Sequence, residues 1–342
     1  MQGKESFEVV VVGGGAAGLS AALVLGRSCR SVLVIDAGEP RNAPAGHMHG
    51  YPSRDGMPPA EFLATVREEV SAYGVQIISA RVTTAVTDGH GELDLELADG
   101  RQVHARRLVV ATGLVDELPE IPGVAERWGK DVLHCPYCHG WEVRDQPIGV
   151  LYPKGGGVHQ ALLFRQLSSD VTLFLDGVSE DAVPAAEWEL LRAAGIGVVV
   201  GSVENLEVTD DRLTGVRVTG VGVFPRTVLV VPPRMVPRDD LLSMLDAKKN
   251  DTPLGPFVET DATGMTSVPG VWAAGNNTGP AEQVVNAASA GYRAAVAINA
   301  NLTFTDAERA AEQGRAGVFT AANEQAVARV RADQMAEERW SD

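Results

Sequence analysis

The sequence decides its fold at Phe7-Glu-Val-Val-Val-Val12-Gly13-Gly-Gly-Ala-Ala-Gly18-Leu-Ser-Ala-Ala22. The apolar, β-branched run up to Val12 is typical of a buried strand, and the residues after Gly18 have helical composition. Between the two runs, Gly13, Gly15 and Gly18 form the pattern GxGxxG. A glycine pattern between a strand and a helix predicts a tight turn at which the helix N-terminus can bind a phosphate.

A second strand-like run over residues 31–35 ends in Asp36 and completes a strand–helix–strand unit. In such a unit the first glycine permits the tight turn, the second lets the backbone approach a pyrophosphate, and the third lets helix and strand pack closely. The acidic residue binds a ribose hydroxyl of adenosine. We therefore expect Gly13, Gly15, Gly18 and Asp36 to bind a dinucleotide, in preference to a glycine turn that holds no ligand.

The chain has 342 residues, which predicts two domains at about 100–200 residues each. Its 37 glycines, 19 prolines and 45% hydrophobic residues are typical of a globular α/β protein with many turns. A formal net charge of -16 argues against nucleic acid or an anionic membrane as partner, because both would be repelled. No run approaches the ~20 apolar residues of a membrane span, and the N-terminus lacks the pattern of a signal peptide. We expect a cytoplasmic protein.

A second strand–helix–strand pattern has strand-like runs at 148–151 and 171–175 around a helical run at 158–167. The apolar pattern of the first unit resumes at Gly270-Val-Trp-Ala-Ala-Gly275, ahead of a helix predicted over 281–301. The sequence therefore predicts an α/β fold of two Rossmann-like domains, the second inserted into the first. Residues 1-115 and 247-302 would form the first domain, 116-246 the second, and 303-342 a charged helical tail that covers a dimer surface or extends into solvent.

The segments between these units carry weaker signals. The stretch from Arg41 to Pro59 is rich in Gly, Pro and His and predicts a long loop. Residues 59–73 predict an amphipathic helix, and the alternating pattern up to Val110 predicts short antiparallel strands. Further strand-like runs occur at 197–200 and 227–231.

Two of the three cysteines form Cys135-Pro-Tyr-Cys138, followed at once by His139. Three cysteines are too few for the disulfide framework of a small secreted protein, so this CxxC motif indicates redox chemistry. The alternative is half of a zinc site, which would have to recruit His134, His139 or the distant His47 and His49. The motif offers no second cysteine pair for such a site.

A redox cysteine pair needs one sulfur that exchanges with the substrate, a second that reaches the electron acceptor, and a neighbouring group that moves protons. His139 fits the third role because imidazole titrates near neutral pH. His47 and His49 are either auxiliary bases or surface and packing residues. Cys29, between two arginines, is expected to be an unreactive packing residue.

Together these motifs resemble the low-molecular-weight thioredoxin reductase family over residues 7–302. The resemblance is carried by Gly13-Gly-Gly-Ala-Ala-Gly18, Asp36, Ala111-Thr-Gly113, the CxxC motif, and Gly270-Val-Trp-Ala-Ala-Gly-Asn276 followed by Glu282-Gln283. It implies a homodimer and an FAD domain interrupted by a smaller NADPH domain that carries the cysteines.

By this resemblance FAD is the cofactor, Cys138 is the flavin-proximal sulfur, Cys135 exchanges with the substrate, and no metal is expected. The FAD-binding residues that it implies are Gly13, Gly15, Ala17, Gly18, Asp36, Ala37, Arg41, Ala111, Thr112, Gly113, Gly275, Asn276, Gln283 and Val284. Asn276 stands where the family usually has Asp, and its amide can still hydrogen-bond a ribityl hydroxyl.

Three departures from the family pattern separate this chain from a typical reductase. The turn after the second domain's first strand reads Tyr152-Pro-Lys-Gly-Gly-Gly157 and places Tyr and Lys at family glycine positions; the alternative is that Gly155 to Gly157 still form an anion-binding turn. The arginines that bind the 2′-phosphate of NADPH are replaced by Leu175-Asp-Gly177, whose acid would repel that phosphate. The residue after the second cysteine is His139, where the family usually has Asp.

These departures resemble a branch of the family, the dithiol oxidases of gliotoxin and holomycin biosynthesis. The resemblance implies an FAD-dependent enzyme that forms a disulfide within a small-molecule dithiol and passes the electrons to O2, with Cys135, Cys138 and His139 as catalytic residues. The alternatives are a thioredoxin-type reductase that uses NAD(P)H or ferredoxin, and a flavin-binding protein that sequesters a dithiol. The positioned cysteines and His139 argue against the last.

Overall fold

The computed structural model describes residues 5–153, 157–318 and 325. Its strands, in chain order, are β1 (Glu5–Val12), β2 (Val32–Asp36), β3 (Gln76–Ser79), β4 (Val82–Thr87), β5 (Leu93–Leu97), β6 (Gln102–Val110), β7 (Leu114–Glu117), β8 (Val132–Leu133), β9 (Ile148–Leu151), β10 (Val171–Phe174), β11 (Gly197–Val199), β12 (Val203–Thr209), β13 (Arg212–Val218), β14 (Gly222–Phe224), β15 (Val228–Val230), β16 (Arg234–Pro237), β17 (Lys249–Thr252), β18 (Gly255–Val258) and β19 (Val271–Ala273). Its helices are α1 (Ala16–Arg27), α2 (Pro59–Ser71), α3 (Val124–Arg127), α4 (Pro136–His139), α5 (His159–Arg165), α6 (Ala185–Ala193), α7 (Asp240–Met244) and α8 (Val284–Val318).

The chain forms two compact units, Met1–Ala294 and Ala295–Asp342. All the strands belong to the first unit. In the second unit, α8 continues from Ala295 to Val318, so the described part of the predicted tail is helical. The rest of that tail lies outside the described residues, apart from residue 325.

Seven strands of the described chain form one sheet in the order β3-β2-β1-β6-β5-β4, with β19 also paired to β6. The central strand β1 runs parallel to β2 and β6. Val9 to Val12 are buried, as expected for a parallel strand that is covered on both faces. Because β1, β2, β6 and β19 are mutually parallel, their carboxyl ends lie at one edge of the sheet.

A second sheet has the order β11-β10-β9-β15-β8, and all its pairings are parallel. Its strands are short apolar runs that are buried throughout β8, β9, β10 and β15. The strand β8 ends at Leu133, two residues before Cys135, and β9 ends at Leu151, directly before Tyr152. The cysteine pair and the second predicted turn therefore both follow carboxyl ends in this sheet.

Two chain segments link the sheets. The strand β7 precedes the second sheet in sequence and β16 follows it, and the two pair antiparallel, with Val115 opposite Val236. Smaller antiparallel groups are β12-β13-β14 and the β17-β18 hairpin. The α/β fold with two Rossmann-like sheets agrees with the prediction.

Two local predictions need correction. Short antiparallel strands are predicted between residue 73 and Val110, and β4, β5 and β6 do pair in this way. The strand β3, however, runs parallel to β2, because helix α2 forms the crossover between them. The last helix starts at Val284 and passes the expected end at Asn301, since no Gly or Pro interrupts residues 292–313. Within the described residues, no helix combines the length and apolar character needed to cross a membrane.

Candidate active site

The edge of the first sheet opens into a cavity of ≈ 1310 Å³ within the first unit. Its walls come largely from segments that follow β1, β2, β6, β8 and β19. Of the predicted site residues, those that line the cavity are Gly13, Gly15, Ala17, Asp36, Ala37, Arg41, Ala111, Thr112, Gly113, Cys135, Cys138, His139, Gly275, Asn276, Gln283 and Val284. Parallel strands explain this convergence, because their carboxyl ends meet at one edge.

Each glycine of the first turn has a separate geometric reason. Gly13 has a φ of 110°, and a Cβ there would lie 2.3 Å from the carbonyl oxygen of Ala111. A Cβ on Gly18 would lie 1.9 Å from the carbonyl oxygen of Gly13, so Gly18 packs behind the turn and not in the cavity. A Cβ on Gly15 would meet nothing within 4 Å, which leaves open space in front of α1.

The start of α1 faces this open space with its backbone. Gly15 is the N-cap, no side chain caps the helix, and its first turn holds no acidic residue. The first N–H groups of a helix have no partner within it, and they carry partial positive charge. The turn therefore offers a site for an anion such as a pyrophosphate.

The carboxylate of Asp36 is held at the same turn. It accepts hydrogen bonds from the Gly14 N–H at 3.0 Å and from Arg67 at 2.7 Å. A Cβ on Gly14 would lie 2.6 Å from Asp36 Cγ, so Gly14 allows this approach, a role that the GxGxxG pattern does not assign. A carboxylate has about four acceptor positions, so Asp36 keeps capacity for a ligand hydroxyl.

Small residues bring the start of α8 close to α1. A Cβ on Gly291 would lie 2.0 Å from the carbonyl oxygen of Ala17, and one on Gly275 would lie 3.0 Å from Ala17 Cβ. Ala17 and the two glycines are therefore fixed by packing. This contact places the loop before α8 beside the glycine turn.

The amide of Asn276 organises that loop. Its Nδ2 donates to the carbonyl oxygens of Gly279, Pro280 and Glu282 at 3.3, 3.3 and 3.1 Å. An Asp in its place has no N–H group to donate. The loop ends at Gln283, whose carbonyl oxygen accepts from the Ala287 N–H at 2.8 Å and begins the helix.

The cysteine pair lies at the short helix α4, with Cys135 as its N-cap. Both cysteines are thiols and half-buried. The Cys138 thiol donates to Gln283 Oε1 at 3.2 Å, and Gln283 Nε2 donates to Cys135 Sγ at 3.5 Å. Gln283 thus contacts both sulfur atoms, with a different group of its amide toward each.

The two sulfurs differ in acidity. The neighbouring Cys138 side chain is the largest influence that lowers the pKa of Cys135, to about 6, with further help from backbone N–H groups and Gln283 against the cost of burial. The neighbouring Cys135 side chain, together with burial, raises the pKa of Cys138, although Gln283 acts in the opposite direction. At neutral pH the reduced pair is therefore a Cys135 thiolate beside a Cys138 thiol.

His139 ends α4 next to the pair. Burial lowers the pKa of His139 below its ordinary value of 6.5, although Glu142 acts in the opposite direction. Its Nε2 is buried and has no hydrogen-bond partner within the described structure. A neutral imidazole with a free ring nitrogen can accept a proton from a thiol.

The two loop histidines, His47 and His49, both act to lower the pKa of His139. His49 is within 3.4 Å of Asp55 through Nδ1 and within 3.4 Å of Glu142 through Nε2. The loop thus joins an acid–imidazole–acid cluster to Glu142, three residues after His139 in the chain.

The outer side of the pair is aromatic. Tyr137 is 74% exposed and Trp141 is 66% exposed, although both lie within three residues of a redox cysteine. The Arg144 guanidinium lies over the Trp141 ring, 4.0 Å from its centroid. These rings form an accessible apolar surface at which a small substrate can pack.

Arg41 lines the cavity but is already engaged. Its guanidinium forms two hydrogen bonds of 2.8 Å to the carboxylate of Asp116 on β7. A bidentate arginine–carboxylate pair of this kind fixes the orientation of the Arg41 side chain. Arg41 therefore ties the long loop to the segment that links the sheets.

A carboxylate from α6 reaches both described ends of the second turn. Tyr152 is buried, and its hydroxyl donates to Glu187 Oε2 on α6 at 2.8 Å. The same oxygen accepts from the Gly157 N–H at 3.3 Å. The interval of 154–156, which includes part of the expected glycine turn, lies outside the described residues.

Asp176 follows β10, where the family places arginines. It adopts a φ of 45°, and its Oδ1 accepts from the Val203 N–H at 3.0 Å. Its carboxylate therefore has a structural partner.

Sequence reasoning missed several residues of the site. Gln160 Nε2 donates to the carbonyl oxygen of His134 at 2.7 Å and lies 2.9 Å from its Nδ1, next to the cysteine pair. The sequence indicates His134 only as a candidate zinc ligand. Glu187 had no signal at all, because it lies 35 residues from Tyr152.

Two further features of the described residues concern possible metal ligands and the third cysteine, Cys29. Across the described residues, no group of three or more His, Cys, Asp or Glu side chains is arranged to hold a metal ion. Cys29 is exposed with a φ of 58°, so its prediction as a packing residue is wrong. It lies just beyond the end of α1, where the chain leaves the helix and its side chain faces solvent.

Comparison with known proteins gives consistent matches. The thioredoxin reductase tcpT of Claviceps purpurea is 33% identical over 83% of this chain and 91% of its own length. The thioredoxin reductase sirT of Leptosphaeria maculans is 32% identical over 86% of this chain and 93% of its own. The crystal structure of HlmI is 46% identical, covers 93% of this chain and 98% of that one, and superposes with a TM-score of 0.87.

The family model of the pyridine nucleotide-disulphide oxidoreductases matches residues 7–291. That span includes nearly all of the seven-stranded sheet, the whole five-stranded parallel sheet, the glycine turn and the cysteine pair. The chain belongs to the pyridine nucleotide-disulphide oxidoreductase family.

Proposed function

We propose that this oxidoreductase is an FAD-dependent dithiol oxidase. It converts a small-molecule dithiol into its intramolecular disulfide and transfers two electrons and two protons to O2, which becomes H2O2. The cysteine pair is the entry point for the electrons. We also propose that it acts as a cytoplasmic homodimer, as its resemblance to low-molecular-weight thioredoxin reductases implies.

The residues at the cavity fit FAD. The uncapped start of α1 and the open space at Gly15 suit a pyrophosphate, and Asp36 suits the adenosine ribose. Gly275, Asn276 and Val284 lie in the same cavity as the cysteines. When bound, FAD supplies two-electron redox chemistry and reactivity toward O2.

The chain's own residues carry out the exchange with the substrate. His139 accepts the proton of the first substrate thiol, and the thiolate attacks Cys135 Sγ of the oxidised pair. The Cys135–Cys138 bond breaks, and Cys138 takes the electron pair as a thiolate. Cys138 then accepts the proton of the second substrate thiol, whose sulfur attacks the substrate sulfur bonded to Cys135, and Cys135 leaves as a thiolate. A low leaving-group pKa, about 6 for Cys135, speeds this last step.

The observation that carries the proposal is the carboxylate of Glu187 at the second turn. In a reductase, a nicotinamide nucleotide needs backbone N–H groups and open space at this position. Here Glu187 accepts from the Gly157 N–H, and the buried Tyr152 holds that carboxylate in place. A phosphate would meet a carboxylate at the same N–H. The geometry supports entry of electrons at the cysteine pair and not from NADPH.

A thioredoxin-type reductase is the second candidate. The two fungal relatives described above carry that name and cover most of this chain. A reductase of this kind would take electrons from NAD(P)H or ferredoxin and deliver them to a protein disulfide. The two candidates use the same cysteines and differ in the direction of electron flow.

Anaerobic stopped-flow absorbance of the FAD-loaded protein separates them. The protein is mixed with excess NADPH or with excess dithiothreitol, and air is then admitted. Rapid bleaching of the flavin by the dithiol alone, with recovery and H2O2 formation in air, is expected. Rapid bleaching by NADPH would overturn the proposal in favour of the reductase. The Cys138→Ser variant should retain flavin and lose bleaching by the dithiol.

A further inference from the structure

We propose that Gln283 is a catalytic residue of the disulfide exchange, whose amide N–H group stabilises the thiolate of Cys135 in the reduced pair. The resemblance placed this side chain among the residues that line the flavin. Its contacts in the folded chain give it a role toward the sulfur atoms. The inference deepens the proposed function and rests on exchange at this cysteine pair.

The two ends of the amide are chemically different, which makes the contact directional. The NH2 group can only donate, and it lies 3.5 Å from Cys135 Sγ. The carbonyl oxygen can only accept, and it receives the Cys138 thiol at 3.2 Å. A thiolate at Cys135 and a thiol at Cys138 satisfy both contacts, whereas the reverse assignment leaves a weaker acceptor at Cys135 and places a Cys138 thiolate against the carbonyl oxygen.

The backbone fixes which way the amide points. Gln283 begins α8 through its own carbonyl oxygen, so its main chain is anchored. The three hydrogen bonds of Asn276 hold the loop that leads into it. Asn276 is thus a positioning residue for Gln283. This also gives a reason for Asn in place of the family's Asp, because a carboxylate would face three carbonyl oxygens at 3.1–3.3 Å.

The contacts of the Gln283 amide support one step of the exchange, the release of Cys135 from the substrate. When the second substrate thiolate displaces the enzyme, the bond between substrate sulfur and Cys135 Sγ breaks, and Cys135 receives the electron pair. The Nε2–H group of Gln283 stabilises that thiolate as it forms. The Oε1 atom meanwhile accepts from the protonated Cys138, so charge does not accumulate on both sulfurs. Gln283 thus favours Cys135 as the leaving group.

The test is the pH dependence of alkylation of each sulfur. Reduced protein is treated with iodoacetamide across the acidic to neutral range, and peptide mass spectrometry assigns the modified cysteine. In the unchanged protein, Cys135 should react with a midpoint near its pKa of about 6, and Cys138 should stay unreactive. In Gln283→Met, which keeps the size but removes both contacts, the Cys135 rate near that pH should fall about fivefold.

Further variants make the result decisive. Gln283→Glu places a second negative charge beside Cys135 and should lower its rate more than Gln283→Met does. Asn276→Asp should act in the same direction with a smaller effect. Gln146→Met changes an amide that does not contact the sulfurs and should leave both profiles unchanged. A Cys135 profile in the two Gln283 variants that superposes on that of the unchanged protein overturns the proposal.

The assay involves no turnover and no electron acceptor. If NADPH bleaches the flavin while the Gln283 variants shift the alkylation profiles, the proposed function fails and the role of Gln283 stands. If dithiothreitol bleaches the flavin but the profiles do not move, the oxidase stands and the role of Gln283 fails. Unfolding by urea, monitored for every variant, shows whether each has folded, and Gln283→Glu gives the decision if Gln283→Met does not fold.

Discussion

The chain passes from a parallel strand toward a helix at two comparable places, after Val12 in the first sheet and after Leu151 in the second. In both turns an N–H group next to the helix start donates to a carboxylate, Gly14 to Asp36 and Gly157 to Glu187. The two carboxylates differ in their other partner: Asp36 accepts from the Arg67 guanidinium, which offsets its charge, whereas Glu187 accepts from the neutral Tyr152 hydroxyl. The second turn therefore presents more negative charge to a phosphate than the first turn does.

The comparison indicates how two similar strand–turn–helix units in one chain can differ in their ability to bind a nucleotide. A strand followed by a helix supplies N–H groups in both sheets, so the fold does not determine whether a phosphate binds. What differs is the residue that reaches those N–H groups. A buried Tyr and a distant Glu are enough to change the second turn, and four predictions test this difference.

The largest effect is expected at Gly13. Gly13→Ala brings a Cβ to 2.3 Å from the Ala111 carbonyl oxygen at a φ of 110°, so unfolding free energy should fall by about 4 kcal/mol and flavin should be lost. Gly157→Ala is the matched control, because its φ of 119° is similar but its Cβ would meet nothing within 4 Å. It should cost about 1–2 kcal/mol from backbone strain alone. Urea unfolding and visible absorbance measure both, and equal losses would contradict the difference between the turns.

If electrons enter only at the cysteine pair, His139 should control the rate. His139→Gln removes the base and should slow bleaching of the flavin by dithiothreitol about 100-fold. Burial lowers the pKa of His139 below 6.5, and only neutral imidazole accepts a proton, so the unchanged enzyme should lose rate only as the pH falls below that value. Stopped-flow rates across pH should show this acidic limb in the unchanged enzyme and not in the variant. A limb that survives in His139→Gln would assign the base to another residue.

Gly15→Ala separates binding from folding at the first turn. The new methyl group meets no protein atom within 4 Å and Gly15 has an ordinary φ of −83°, so urea unfolding of the apoprotein should be nearly unchanged. The methyl group would occupy the space in front of α1, and FAD affinity should fall about tenfold, equivalent to about 1.4 kcal/mol. Titration of the apoprotein with FAD measures the loss. Unchanged affinity would mean that the pyrophosphate does not approach Gly15.

The smallest effect is expected at the second turn, on the affinity for NADPH. Glu187→Ala frees the Gly157 N–H and removes a negative charge, so NADPH should bind about tenfold more tightly, detected as faster anaerobic bleaching at a fixed low concentration. Glu189→Ala makes the same charge change on an exposed position of α6 and should have little effect. An equal increase in the bleaching rate of the two variants would assign the effect to net charge and not to the contact between Glu187 and the Gly157 N–H.

Local sequence determined the parts of the site that depend on neighbouring residues. The run from Phe7 to Gly18 predicted a strand, a turn and a helix, and these lie at β1, Gly13 and α1. Apolar periodicity likewise located β9 and β10. The same pattern could not show the direction of β3, because pairing depends on the crossover helix before it.

Tertiary structure decided the contacts between residues far apart in the chain. Sequence by itself named Cys135, Cys138 and Gln283 as site residues, but it could not place an amide between two sulfurs about 145 residues away. Nor could it bring Glu187 to Tyr152 and Gly157, since no local pattern records which carboxylate reaches a given N–H. Spacing along the chain fixes strands, turns and helices, whereas hydrogen bonds between distant side chains, and the pKa values they set, exist only once the sheets have packed.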